Sequence, residues 1–178
     1  MYKPVYWYHG NVKFPDTEVD QVTRELKRIG TEMLVRGYPA SSYHFKIFNR
    51  PDKIWAERYT KIVEDITKSV NIYSSTKYLF SYWSQLYSKD IQHTPHHHFD
   101  AAEQSGQISF VHFIKPDKEK SFRFLTHEKE DWTPAEQNEG DLICFPSWCW
   151  HRVAPVIASE RLVVAGNIEI DYMEDKYK

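Results

Sequence analysis

The chain has 178 residues, 41% of them apolar and 16% aromatic, which suits a globular domain with its own core and excludes a disordered chain. Its 23 basic and 25 acidic residues give a formal charge of −2, so nothing attracts it generally to nucleic acid or anionic membranes, and no apolar run approaches a membrane span. Two cysteines, Cys144 and Cys149, are too few for a disulfide framework, and no basic-then-apolar leader is seen, so the expected location is cytoplasmic.

The first sixteen residues, rich in Tyr, Trp and Pro, read as an extended lead-in with an edge strand around Val5 to His9. Asp16 or Thr17 can cap a helix in which Val19, Val22, Leu26, Ile29 and Met33 recur at helical spacing, and Gly37 offers a stop. A second helix is expected from Pro51-Asp52, with Ile54, Tyr59, Ile62, Val63, Ile66 and Val70 as its apolar stripe. From Lys77 the period changes to two: Leu79, Ser81, Trp83, Gln85 and Tyr87 share one face of a strand. Further strands are expected at 94–100, 107–114, 121–125, 141–145, 151–155 and 161–170, some separated by turns such as Pro116-Asp117-Lys118 and Asn138-Glu139-Gly140. Residues 128–141 read as a polar, acidic loop, solvated or serving as a lid. Helices over 16–75 followed by short strands over about 77–170 suggest one α+β, mainly β domain spanning 1–178, an antiparallel double-sheet barrel with two helices packed outside.

Three stretches carry candidate chemistry. His96-His97-His98-Phe99-Asp100 places His98 and Asp100 two residues apart, on one face of a strand. With the distant His151 they form a two-His, one-carboxylate set of the kind that leaves positions open on ferrous iron. Ten residues beyond His151 lies Arg161, on an apolar strand whose parity puts it with Val163 and Ala165. An inward Arg needs an anion, and its planar fork suits a carboxylate. Alternation alone does not separate a His96–His98 pair from a His98–Asp100 pair. A carboxylate offsets the charge of the metal better than an imidazole does, which favours Asp100 and leaves His96 at the rim. His97 and Phe99 should point away. His9, His44, His93, His112 and His127 carry no motif and are expected to be structural or solvated; Trp83, Trp148 and Trp150 are expected in the core, with a pocket-wall role left open for Trp148 and Trp150 beside His151.

His98-Phe99-Asp100, His151 and Arg161, together with Tyr87-Ser88-Lys89-Asp90 and the run Gly140 to Ser147, resemble the iron- and 2-oxoglutarate-dependent dioxygenases, in particular the short prolyl-hydroxylase-like and phage-type members. The likeness covers roughly residues 78 to 170. It implies a double-stranded β-helix, the jelly-roll or cupin-like barrel, with Fe(II) on His98, Asp100 and His151. It further implies 2-oxoglutarate as co-substrate with O2, its distal carboxylate held by Arg161, and a small-molecule or peptide substrate that is hydroxylated as 2-oxoglutarate becomes succinate. Many relatives place Ser or Thr two residues after this Arg. Val163 stands there here, and Tyr87 is the first candidate to replace the lost hydroxyl. Some phage-type relatives show His-x-His where His98-Phe99-Asp100 is aligned. The alternative from another class is a non-enzymatic cupin-like metal- or ligand-binding module, since the same barrel serves both.

Overall fold

The computed structural model describes residues 4–32, 38–44, 50–70, 77–99 and 107–171. Among these, β1 (Trp7–Asn11) leads into α1 (Asp16–Glu32), followed by the short β2 (Ala40–Ser41). A 3-10 turn over Pro51–Trp55, begun by its proline, runs into α2 (Ala56–Ser69). Then come β3 (Lys77–Ser88), β4 (His93–His96), β5 (Ile108–Lys115), β6 (Phe122–Leu125), β7 (Asp131–Trp132), β8 (Asp141–Pro146), β9 (His151–Val153) and β10 (Glu160–Asp171). The anticipated helix-end residues Met33 and Gly37 lie outside the described residues.

Two antiparallel sheets face each other. The larger has the order β1-β8-β5-β10-β3-β2 and the smaller β4-β9-β6-β7. Parity on the larger sheet separates two cores. One side presents Leu142, Cys144, Leu162, Val164 and Ile168 to Val22 and Leu26 of α1 and to Tyr59, Val63 and Ile66 of α2. The other presents Tyr87, Val111, Phe113, Ile143, Phe145 and Val163 to Phe122, Phe124 and Val153 of the smaller sheet. Because both faces are covered, β5 is buried from Ile108 to Ile114 and shows no polar–apolar alternation. Both helices therefore support the larger sheet from outside, as expected.

Two polar knots fix the helical layer. The carboxylate of Asp52, fully buried, accepts from Ser42 Oγ (2.7 Å), Ser84 N (2.9 Å), Ser84 Oγ (2.8 Å) and Arg50 Nε (3.0 Å). His112 points from β5 toward α2. Its Nε2–H donates to the Val12 carbonyl (2.7 Å), so Nδ1 accepts from the Tyr59 hydroxyl (2.9 Å). Burial pushes the His112 pKa down to about 4, and the ring stays neutral in the folded chain.

An unfolded His titrates near 6.5, so between pH 6.5 and 4 the unfolded chain takes up a proton that folded His112 refuses. Stability is expected to fall as pH drops through that window, by on the order of 3 kcal/mol from this residue. Urea unfolding at pH 7 and pH 4.5 should show His112→Gln losing less stability on acidification than the parent. Equal losses would remove His112 from the account.

Candidate metal centre

The smaller sheet carries the first two site residues. Pairing of β4 with β9 sets His96 opposite His151. The strand expected to run through Asp100 stops at His96, and His98 lies on a bend beyond it. The His98 amide donates to the Ser147 carbonyl (2.9 Å), which ties that bend to the β8–β9 turn. His98 thus reaches the site through a turn and not by strand parity. Asp100 lies outside the described residues.

His96, His98 and His151 converge: one ligand nitrogen from each lies within 4.8 Å of the others. Each ring has its Nδ1 committed. His96 Nδ1–H donates to the Thr94 carbonyl (2.8 Å) and His151 Nδ1–H to the Cys149 carbonyl (2.9 Å). A carbonyl only accepts, so both rings carry their proton on Nδ1. His98 Nδ1 meets Asn167 Oδ1 at 2.8 Å; Ser109 Oγ donates to the same oxygen at 2.9 Å and contacts Ser147 Oγ at 2.9 Å. Each Nε2 is left with a lone pair, the tautomer and orientation that a metal requires of an imidazole.

The surroundings keep the rings neutral. Phe122 and Phe145 pack against His151 with centroids 5.4 and 5.1 Å away, and Trp83 lies 5.5 Å from His98. Burial is the main cause lowering all three pKa values, with the neighbouring histidines adding to it: His98 to about 4, His151 well below its usual value, and His96 in the same direction. Neutral imidazoles with free lone pairs bind a divalent cation without first losing a proton.

Sequence reasoning passed over His93, Ser109 and Asn167. His93 stacks on His96 with centroids 4.2 Å apart, and its Nδ1 lies 3.4 Å from the Tyr87 hydroxyl. His93 is spaced three residues from His96, at odds with strand parity, and the irregular pairing between His93 and His96 on β4 brings both to one face. Ser109 and Asn167 carry no motif at all; only the pairing of β5 with β10, which sets Asn167 against Ser109, brings them to His98.

Arg161 and Tyr87 lie on the inner face of the larger sheet, opposite one another on β10 and β3. Arg161 is 1% exposed; its guanidinium sits 4.8 Å above the Tyr87 ring and 5.9 Å from that of Phe113. Nη1 and Nη2 are buried and have no hydrogen-bond partner among the described residues. Glu160, the surface partner that an ordinary ion pair would use, is engaged instead by Lys27 and, at 3.9 Å, Lys115. Burial lowers the Arg161 pKa, and burial raises that of Tyr87 to about 12. A buried cation with unused donors is costly unless an anion meets it. Tyr87 donates its hydroxyl to Gln85 Oε1 (3.0 Å), and with His93 it spans the space between Arg161 and the histidines.

Other expectations divide. Trp83 is buried, but Trp148 and Trp150 are 58% and 49% exposed, which departs from the core expectation and accords with the pocket-wall alternative. They follow β8 on a tight turn and, with Pro95, Leu125 and Arg152, line an outer groove of about 930 Å³. The ring of Trp150 lies 4.6 Å from that of the exposed His97. Cys144 and Cys149 are free and buried. The 128–141 stretch is not simply a solvated loop, because Asp131-Trp132 forms β7 and buried Gln137 bonds both backbone groups of Phe122.

No family model matches the sequence, and no curated protein matches it. Solved structures do. A prolyl-4-hydroxylase from Pseudomonas putida aligns with a TM-score of 0.65 at 15% identity, over 92% of this chain and 91% of that one. A prolyl hydroxylase from Trichoplax adhaerens, in complex with a hypoxia inducible factor oxygen degradation domain peptide fragment, gives 0.62 at 12% identity over 92% and 83%. HygX from Streptomyces hygroscopicus, with nickel and 2-oxoglutarate bound, gives 0.58 at 12% identity over 92% and 82%. The chain has the double-stranded β-helix fold of these oxygenases, as its motifs implied.

Proposed function

We propose that the protein is an iron(II)- and 2-oxoglutarate-dependent oxygenase and that it hydroxylates a peptide or small-molecule substrate. The observation that supports this reading is the convergence of three neutral imidazoles with their Nδ1 protons already placed, in a barrel that also buries an unpaired guanidinium. Metal binding alone would account for the first feature and not the second. In this reading His98 and His151 hold the metal. The third ligand is His96 or Asp100; the convergence of ring nitrogens favours His96, and the charge argument favours Asp100. Arg161 holds the distal carboxylate of 2-oxoglutarate through its two-pronged donor face. Iron with 2-oxoglutarate and O2 supplies the oxidising chemistry, and the chain supplies orientation and an apolar surround.

The residues fit those roles by their chemistry. Asn167, Thr94 and the Cys149 carbonyl fix the imidazole tautomers before any metal arrives. Phe113, Phe122, Phe145 and Val163 exclude water from the barrel interior, which strengthens a charge pair formed there. The peptide seen with the Trichoplax enzyme is consistent with a peptide substrate for this chain. Three histidines also suit zinc, so the rival is a metal- or ligand-binding module with no use for Arg161.

Incubation with Fe(II), 2-oxoglutarate and air, against panels of peptides and metabolites, should give succinate whose release needs iron and rises with the right substrate. Metal binding with no iron-dependent succinate under any of these conditions would favour the module.

A further inference from the structure

A carboxylate gripped by a buried Arg still needs further donors. Arg161 offers Nη1 and Nη2 to two carboxylate oxygens, but each oxygen has a second lone pair, and in a dry pocket an unfilled lone pair is costly. The walls near Arg161 supply few candidates. On β10 the next inward residue is Val163, which has no donor, and Phe113 has none. On β3 the register sets Tyr87 opposite Arg161 and Gln85 opposite Val163. Diagonal neighbours at this spacing lie within reach of long side chains.

The single O–H of Tyr87 is directed to Gln85 Oε1 at 3.0 Å. That bond leaves Tyr87 without a free hydrogen, and it also orients the Gln85 amide. With Oε1 taken by the phenol, Nε2 and its two N–H groups face elsewhere, and no described residue accepts from them. Gln85 is half-buried, and parity puts it with Tyr87 on the inner face of β3, opposite Val163.

We propose that Gln85 is the second donor to the distal carboxylate of 2-oxoglutarate, replacing the hydroxyl missing at Val163, and that Tyr87 is the positioning residue that aims it. This rests on the oxygenase reading and assigns to Gln85 the part that the sequence suggested for Tyr87. The amide meets one carboxylate oxygen while the guanidinium spans both.

The test is calorimetric binding of 2-oxoglutarate to Mn(II)-loaded protein, which needs no turnover. Gln85→Glu keeps the shape and still accepts the Tyr87 hydroxyl, but it sets a carboxylate oxygen where the N–H groups were. It is expected to weaken 2-oxoglutarate binding on the order of a hundredfold, and Gln85→Leu on the order of tenfold. Tyr87→Phe should weaken it a few-fold, since Gln85 is then no longer held. Mn(II) affinity and the weak binding of 2-oxobutyrate, which has no distal carboxylate, should be unchanged in all three. If Gln85→Glu binds 2-oxoglutarate as the parent does while Arg161→Lys does not, Gln85 merely accepts from Tyr87 and the inference falls alone. If the parent itself takes up Mn(II) but no 2-oxoglutarate, the oxygenase reading falls and this assignment falls with it.

Discussion

His98→Ala and His151→Ala are each expected to lose Fe(II) binding by well over a hundredfold, and with it all 2-oxoglutarate turnover. Loss of an outer partner to a metal-bound imidazole typically costs about 10–100-fold, and removal of the ligand itself costs more. Both rings are held by hydrogen bonds from Nδ1, so the alanine variants lose the metal-facing nitrogen and its alignment together. The third ligand is decided by two further variants. If His96 completes the set, His96→Ala abolishes metal binding and Asp100→Ala retains it. If the carboxylate completes it, the two results exchange. The convergence of His96 with His98 and His151 favours the first outcome and the charge of a carboxylate favours the second, and this pair of variants decides between them. A three-imidazole set leaves the full charge of Fe(II) to be met by the dianionic co-substrate, so the metal and 2-oxoglutarate should bind with mutual reinforcement. Equilibrium binding of Fe(II) under anaerobic conditions, with and without 2-oxoglutarate, measures both points.

Arg161→Lys should weaken 2-oxoglutarate binding by on the order of a hundredfold and leave metal affinity nearly unchanged. The charge survives, but the two parallel N–H donors that match a carboxylate do not. Nη1 and Nη2 are unpartnered among the described residues, so the substitution takes little from the fold itself. Thermal unfolding of the metal-loaded protein without 2-oxoglutarate should therefore change little. Equal losses of metal and 2-oxoglutarate binding would make Arg161 a structural residue.

Much of the fold was legible because apolar spacing declares itself. The stripes Val19, Val22, Leu26 and Tyr59, Ile62, Val63, Ile66 are both buried, and the switch to period two at Lys77 marks β3. Arg161 could be placed inward from the parity of β10 alone, and the structure puts it there. Parity was less informative where pairing is irregular. The bulged β4 brings His93 and His96 to one face despite a spacing of three, and the bend after His96 carries His98 round without a strand. Asn167 and Ser109 were invisible because their partnership with His98 spans 69 and 11 residues and depends on sheet register. Trp148 and Trp150 leave the core that aromatic residues usually seek because they sit on the tight turn ahead of β9, where they line the outer groove. β7 was missed because two residues carry no period.

In the proposed oxygenase one barrel holds a metal and a 2-oxo acid together. The most direct test of this is the visible spectrum of the apo-protein under anaerobic conditions as Fe(II) and then 2-oxoglutarate are added. A charge-transfer band is expected that needs both additions, is absent from His98→Ala, and in Arg161→Lys is regained only at much higher 2-oxoglutarate. Tight Fe(II) uptake with no band at saturating 2-oxoglutarate would contradict the proposal, and would leave a metal-binding barrel in place of an oxygenase.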